Sequence, residues 1–237
     1  STHRGTLFPY TTLFRSRIHV ISPGLNLAGH RPPGQTTTLP GAGSPADPTI
    51  GFLARVCPDK GLHLLAEAFI LLAEDREVPR TRLVAAGHLA EADRDYLAQV
   101  TAGLARRGLA DRFEYRGCLE RPEKIALLQS LHVMCLPAVL PESKGLPVLE
   151  AWANGVPVVV PAHGAFPEWI EDTGGGLVVE PNDASSLAAA LKRLILDPSK
   201  AAELGRSGHV AVHARYHADR MAGETIALYR RLRTGGG

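Results

Sequence analysis

The stretch LPAVLPESKGLPVLEAWANGVPVVVP, residues 136–161, contains the pattern that decides the fold. The short apolar run at 132–136 has the length of a strand and leads into a loop with two prolines and a glycine. Pro147 suits the first position of a helix because its φ angle is preset, and Gly155 is expected to end that helix. The apolar run 156–160 then predicts a second buried strand. The stretch therefore predicts strand, loop, short helix and strand.

Two glutamates of this stretch are expected at one edge of a parallel sheet. Glu142 lies in the loop that leaves the first strand, and Glu150 lies three residues after Pro147, in the predicted first turn of the helix. Ligands of open α/β sheets bind beyond the carboxyl ends of the strands, and a helix N-terminus favours an anion. We therefore expect a phosphorylated ligand here, with Glu150 able to accept hydrogen bonds from a vicinal diol such as ribose. Taken alone, each glutamate has a stronger structural interpretation. Glu150 would interact favourably with the helix dipole, and Glu142 would be a solvated loop residue.

A regular alternation of strands and helices extends over most of the chain. Further strands are predicted at 49–54, 82–86, 112–116 and 176–180, and helices at 60–75, 91–107, 123–131, 184–196, 200–216 and 219–232. Repeated βα units with short connections predict an α/β fold, a Rossmann-like parallel sheet with helices on both faces.

The ends of the chain are expected to lie outside this domain. Residues 1–16 lack helical periodicity and are predicted to be a non-native tail. Residues 17–48 are predicted to be a remnant strand, at 17–25, followed by an interdomain linker rich in Gly, Pro and Thr. Residues 49–232 form the predicted domain, and residues 233–237 a flexible tail.

Composition excludes several classes of protein. The 237 residues are 45% hydrophobic and 21% charged, with a formal net charge of +2. The basic residues are spread along the chain, which argues against a nucleic-acid partner. The three cysteines form no CxxC pair, so a reduced, cytoplasmic protein is expected, with peripheral attachment to the inner membrane face left open. The ten histidines show no metal-binding spacing; only His163, after a strand, is of interest, and a loop role is favoured over catalysis.

A second chemical stretch is GFLARVCPDKG, residues 51–61, between the strand at 49–54 and the following helix. Arg55 offers a planar fork and Lys60 a compact charge, so the pair could clamp a diphosphate; two solvated loop cations are an equally good interpretation. No dinucleotide fingerprint lies between a strand and a helix, which weighs against a nicotinamide oxidoreductase.

Three stretches, in order, resemble the retaining family 4 glycosyltransferases. Residues 55–61 are similar to that family's R-x4-K-G loop, residues 142–150 to its E-x7-E motif with the ANGVPVV ending that follows, and residues 164–181 to its next segment. The combination is far more specific than E-x7-E alone. The resemblance implies one half of a GT-B architecture, in which two Rossmann-like domains face a cleft. This chain corresponds to the C-terminal, donor-binding domain.

The resemblance also implies roles for individual residues. Arg55 and Lys60 would bind the donor diphosphate, Glu150 the ribose hydroxyls, and Glu142 would be the catalytic residue beside the donor sugar. The other donor-binding residues would be Gly145, Leu146, Pro147 and Val148, through backbone contacts with sugar or phosphate, and Gly117, Cys118 and Leu119, near the nucleobase. No metal and no cofactor are expected, since the nucleotide sugar, a UDP sugar among the candidates, is the substrate. The last helix would cross back to the N-terminal domain.

The expected partners follow from the same resemblance. They are a nucleotide-sugar donor, a carbohydrate, lipid-linked or small-molecule acceptor, and the missing N-terminal domain, whose loss would expose an apolar face suited to self-association. Two departures concern the donor site: Ala54 stands where the family usually has Gly, and Ser143 and Lys144 where it often has Gly-Phe. We expect donor binding without efficient transfer. The alternatives are a sugar-nucleotide-binding module without activity of its own and another GT-B enzyme, an epimerase or a phosphorylase.

Overall fold

The computed structural model describes residues 18–35 and 47–234. Within these ranges one sheet contains β1 (Thr49–Leu53), β2 (Arg82–Ala86), β3 (Phe113–Tyr115), β4 (Val133–Cys135), β5 (Val158–Pro161) and β6 (Gly176–Val179). Every pairing in it is parallel, and the strand order is β3-β2-β1-β4-β5-β6. The strands predicted from residue 49 onward, and the Rossmann-like parallel sheet, are confirmed.

Helices cover both faces of the sheet. They are α1 (Leu62–Glu74), α2 (Arg94–Arg106), α3 (Arg121–Ser130), α4 (Leu146–Ala153), α5 (Phe166–Thr173), α6 (Ala184–Leu196), α7 (Pro198–Arg215) and α8 (Ala218–Thr234). α1 packs against α2 and α6, whereas α4 packs against α3 and α7. The chain moves from β1 towards β3 in one direction along the sheet and from β4 towards β6 in the other. Because each crossover is right-handed, the helices of the two sets lie on opposite faces.

The strand order reverses between β1 and β4, which are neighbours in the sheet. Such a reversal leaves a crevice beyond the carboxyl ends of the two strands, because the connections that follow them turn to opposite faces. The connection after β1 leads into α1, and the connection after β4 leads into α4. The two stretches that carry the predicted site residues therefore meet at the switch point.

Close packing fixes the position of α4 on the sheet. Trp152 in this helix is fully buried, and its Nε1 donates to the carbonyl oxygen of Gly175 at 2.7 Å. A Cβ atom at Gly208 of α7 would lie 2.3 Å from Cδ1 of Trp152. Since only glycine allows this approach, α7 holds α4 in place, and Glu150 on α4 with it.

The strand predicted at 17–25 is wrong over the described residues. Residues 18–24 form no strand, and Leu25 makes a single parallel bridge with His217. Its N–H donates to Tyr216 O at 2.7 Å, and its carbonyl accepts from Ala218 N at 2.9 Å. An apolar run becomes a strand only beside another extended segment, and this one meets the junction of α7 and α8 instead.

The structure differs from the sequence prediction in two further respects. α5 was not predicted, although it buries Phe166 and Trp169. α8 continues to Thr234, so the first two residues of the predicted flexible tail are helical. The predicted tail at 1–16, part of the linker at 36–46 and residues 235–237 lie outside the described residues.

Over residues 18–35 and 47–234, none of the helices combines the length and the apolar character that crossing a bilayer requires.

Candidate functional site

The connection after β1 packs directly on the connection after β4. A short 3-10 turn, Pro58–Lys60, ends at Gly61, whose φ of 75° belongs to the left-handed region. A Cβ atom at Gly61 would lie 1.9 Å from Pro137 O, and Val139 N donates to Asp59 O at 2.8 Å. Glycine is needed at this position both for the backbone angle and for the approach. The two loops therefore form one wall of the crevice.

Lys60 and Glu142 make contact across this wall. Lys60 Nζ lies 2.5 Å from Glu142 Oε2, and the two side chains are 22% and 16% exposed. The other carboxylate oxygen accepts from the backbone N–H of Ser143 at 3.1 Å and of Lys144 at 3.3 Å. Burial raises the pKa of Glu142, but the hydrogen bonds from Lys60 and from the backbone outweigh it and leave the pKa below its ordinary value. The carboxylate is thus held ionised.

The start of α5 supports the loop that carries Glu142. Ala165 N donates to Glu142 O at 2.8 Å, and a Cβ atom at Gly164 would lie 2.4 Å from that same oxygen. Gly145, with a φ of 44°, sits so close to α5 that its Cβ would lie 2.9 Å from Phe166 Cε1. Both ring nitrogens of His163 are buried without a hydrogen-bond partner in the described residues. α5, which sequence reasoning missed, is therefore part of the site.

Glu150 lies further along its helix than predicted. α4 begins at Leu146, because Gly145 in the left-handed conformation already starts the turn, so Pro147 is its second residue and Glu150 its fifth. Glu150 is only 8% exposed, and its Oε1 lies 2.5 Å from Nζ of Lys124 in the first turn of α3. The prediction that Glu150 belongs to the first helical turn is wrong, and its cationic partner is Lys124.

A buried polar network joins α3 and α4 behind this pair. Asn154 Nδ2 donates to Glu150 O and lies 2.9 Å from Nδ1 of His30, while Gln129 Nε2 donates to Asn154 Oδ1. Asn154 thus offers its second N–H to His30, which makes Nδ1 the acceptor and places the ring proton on Nε2. That nitrogen is buried without a partner in the described part of the chain.

The remaining predicted residues are less constrained. Arg55 is exposed and, within the described residues, makes no hydrogen bond or ion pair. Gly117 accepts from Gly87 N at 2.8 Å, Cys118 is exposed, and Leu119 is half-buried against the core. The structure therefore brings Lys60 and Glu142 together and pairs Glu150 with another cation. It shows no partner for Arg55 among residues 18–35 and 47–234.

Sequence reasoning missed Lys124, Asn154 and His30. Lys124 alone left a signal, because it lies five residues after Leu119, in the helix that follows the predicted nucleobase segment. In the ranges 18–35 and 47–234, His, Cys, Asp and Glu side chains form no group of three or more suited to a metal ion.

The fold and the crevice define a class of protein: an open α/β unit with a cation and a carboxylate paired at its switch point, where such units bind ligands. Residues 42–210 match the family model of the glycosyl transferases group 1. The chain belongs to this family, and the resemblance found in the three motifs is confirmed at that level.

One of the curated relatives is the D-inositol 3-phosphate glycosyltransferase of Mycolicibacterium paratuberculosis, 30% identical over 220 residues, which are 91% of this chain and 48% of that protein. The 2-deoxystreptamine glucosyltransferase of Streptomyces kanamyceticus is also 30% identical, over 78% of this chain and 46% of that protein. The chain thus spans about half the length of the curated relatives it matches.

Solved structures share the fold. HepE of Anabaena, in complex with UDP and glucose, superposes with a TM-score of 0.71 at 21% identity, over 78% of this chain and 48% of HepE. The C-terminal domain of the group 1 glycosyltransferase LpcC from Francisella tularensis superposes with a TM-score of 0.70 at 24% identity, over 82% of this chain and 100% of that domain. The chain therefore shares the fold of one Rossmann-like half of a GT-B architecture.

Proposed function

We propose that this chain is the donor-binding half of a retaining glycosyltransferase that transfers a sugar from a nucleotide-sugar donor to a carbohydrate, lipid-linked or small-molecule acceptor. The observation that carries the proposal is the contact of Lys60 with Glu142 at the switch point of the sheet. A cation that could stabilise the leaving diphosphate and a carboxylate that could stabilise positive charge on the sugar are thereby adjacent. Family membership supports the same reaction class.

Arg55 and Lys60 are proposed to bind the diphosphate. Arg55 is exposed and without a partner in the described residues, so its guanidinium is free to take a bidentate phosphate contact. Lys60 has three N–H donors, and its contact with Glu142 uses one of them. Both cations stabilise the negative charge that develops on the leaving group, without an obligate metal or a cofactor.

Glu142 is proposed as the catalytic residue beside the donor sugar. Its lowered pKa keeps it ionised, and a fixed negative charge there stabilises positive character on the sugar ring. It is not assigned as a covalent nucleophile. The backbone of Gly145, Leu146, Pro147 and Val148 contacts the sugar or the phosphates, and Gly117, Cys118 and Leu119 lie near the nucleobase in this proposal.

UDP is the first nucleotide to test, since the fold neighbour HepE was solved with UDP and with glucose. Titration calorimetry with UDP, GDP and ADP should show binding of at least one. Lys60→Met should weaken it about tenfold or more, because a charge-assisted contact with phosphate is lost. Lys200→Met is the matched control, since Lys200 pairs with Glu203 on α7, and should bind like the wild type. Failure of all three nucleotides to bind would refute the proposal.

The chain alone is proposed to bind donor without efficient transfer, because it spans about half of its curated relatives. The same coverage favours a second candidate, a sugar-nucleotide-binding module with no activity of its own. Assays with UDP sugars and acceptors, with and without an added N-terminal half, separate the two. Transfer that appears only with the second half, and retains the anomeric configuration by NMR, supports the glycosyltransferase; transfer in neither arm supports the module. Efficient turnover by residues 1–237 alone would contradict the half-enzyme proposal.

A further inference from the structure

Lys124, the cationic partner of Glu150, has no part in the donor site as the sequence motifs describe it. The two side chains are 26% and 11% exposed, and their charged atoms lie 2.5 Å apart. Removing two charges from water is costly, and a hydrophobic pair of similar size would stabilise the fold at least as well. A largely buried ion pair on α3 and α4, the second of which follows the loop that carries Glu142, therefore points to a role in binding.

The pair presents unused hydrogen-bonding capacity on both partners. Oε1 of Glu150 accepts from Lys124. Oε2 has no hydrogen-bond partner among the described residues, and it is not fully buried, so a ligand could reach it. Lys124 uses one of its three N–H groups for this contact. An acceptor thus stands beside two donors, and that arrangement matches a vicinal diol, in which each hydroxyl both donates and accepts.

The surrounding elements fix the geometry of the pair. Glu120 and Glu123 form a capping box that sets the start of α3, and Lys124 follows in the first turn. On the other side, Asn154 donates to the carbonyl oxygen of Glu150 and accepts from Gln129 of α3. Both helices are therefore held in register, so Lys124 and Glu150 are preorganised to meet a ligand.

The chain links the pair to both parts of the proposed donor site, because α3 follows the loop at 117–119 and α4 follows the loop that carries Glu142. Lys124 follows the proposed nucleobase residues in the chain, whereas Glu142 and Lys60 lie at the β1 and β4 connections. From Leu146 to Glu150 the helix rises about 6 Å. A ribose, which stands between base and diphosphate, would thus fall on the Lys124–Glu150 pair.

We propose that Lys124 is a specificity-determining residue that acts with Glu150 to select a ribonucleotide over a 2′-deoxyribonucleotide. Lys124 donates to a ribose hydroxyl while Glu150 accepts from one, so loss of the 2′-hydroxyl leaves a desolvated polar group without its partner. This inference rests on the proposed function, since it requires that the crevice bind a nucleoside diphosphate.

The test compares UDP with 2′-deoxyuridine diphosphate by titration calorimetry. The wild-type chain should prefer UDP about tenfold or more, which corresponds to one unmatched hydrogen bond to a charged group. Lys124→Met should lose most of this preference, chiefly through weaker binding of UDP, with little change for the deoxynucleotide. Lys200→Met should keep the wild-type ratio. Circular dichroism and the urea midpoint show that each variant folds.

A second variant covers a failure of Lys124→Met to fold. The double variant Lys124→Gln with Glu150→Gln leaves no unpaired charge and should also bind the two nucleotides nearly equally. An unchanged ratio in a folded variant, or tighter binding of UDP by Lys124→Met, would overturn the inference while leaving the proposed function intact. Absence of binding of UDP, GDP and ADP to the wild type would refute the proposed function, and the inference with it.

Discussion

At the scale of single residues, Glu142 shows how a carboxylate at a crevice stays charged. Its neighbours supply one ammonium group and two backbone N–H groups, so its pKa falls below the ordinary 4.5 in spite of burial. A folded-state pKa below the unfolded value stabilises the fold above the unfolded pKa, and this contribution is lost as the pH falls through the folded pKa.

Glu142→Gln should therefore be less stable than the wild type at pH 7, and the difference should shrink steadily below about pH 4.5. Urea unfolding of both proteins between pH 3 and pH 7 measures it. Glu171→Gln, at an exposed position of α5, is the control and should follow the wild type throughout. A stability difference that does not vary with pH would show that Glu142 is not held ionised by its neighbours.

His30 is a base, and burial disfavours its protonated, charged form. Burial lowers its pKa from 6.5 to about 4, with Arg121, Lys124 and His213 acting in the same direction and the hydrogen bond with Asn154 opposing them. The ring is therefore neutral in the folded protein at pH 7. Because the unfolded state binds the proton more readily, stability is full above pH 6.5 and falls as the pH drops from 6.5 towards 4.

The contribution of His30 to this loss is expected to reach about 3 kcal/mol, at 1.36 kcal/mol per pKa unit. His30→Gln keeps an acceptor for Asn154 and cannot take a proton, so its stability should vary less between pH 7 and pH 4.5 than that of the wild type. His88→Gln, at an exposed position, should retain the wild-type slope. Equal slopes in all three proteins, measured by urea unfolding, would sink the prediction.

At the scale of elements, the sequence predicted the strands and helices that a local hydrophobic pattern determines. The strands of the sheet were found because apolar runs bounded by Gly and Pro leave few alternatives. α5 was missed, although Phe166, Trp169 and Ile170 are spaced as one helical face, because its eight residues show that spacing over little more than one turn. The strand at 17–25 was predicted wrongly, since no pattern within those residues reveals whether a neighbouring strand exists.

Gly61 is the element-scale position where a single methyl group should matter most. Gly61→Ala places a Cβ 1.9 Å from Pro137 O at a φ of 75°, so the two crevice loops must separate or the backbone must strain. We expect a loss of about 1–3 kcal/mol in stability and weaker UDP binding together. Chemical denaturation and calorimetry measure the two effects.

The control for this change is Gly223→Ala in α8, where nothing lies within 4 Å of the added Cβ. It should stabilise the protein by about 0.5–1 kcal/mol, because alanine is a better helix former than glycine. Wild-type stability and binding in Gly61→Ala would mean that the loops do not depend on this approach.

At the scale of the whole molecule, the site follows from topology. The convergence of Lys60 and Glu142 was predictable because parallel strands that flank a switch point end at one crevice. The pairing of Lys124 with Glu150 was not, since it depends on how α3 seats against α4, which no local spacing encodes. The alternation of strands and helices in the sequence thus predicted the position of the crevice, whereas the pairing of Lys124 with Glu150 depends on the packing of α3 against α4.

The same topology predicts where the molecule opens first. β4 and β5 are fully buried and have a strand on each side, whereas β3 is an edge strand of intermediate burial. Native-state hydrogen exchange should show the slowest amide protons in β4 and β5, and much faster exchange in β3. Protection in β3 as strong as in β4 would contradict this gradient.

The arrangement of α4 and α5 has one practical consequence. The sequence contains two tryptophans, Trp152 and Trp169, whose ring centroids are 6.3 Å apart. Trp169 lies against Gly145, because a Cβ there would be 3.2 Å from its Cζ3. One of the two indole rings thus lies beside the loop that carries Glu142, and the other lies next to that ring. We therefore expect the intrinsic fluorescence of the protein to report the arrival of a ligand in real time, with no dye attached.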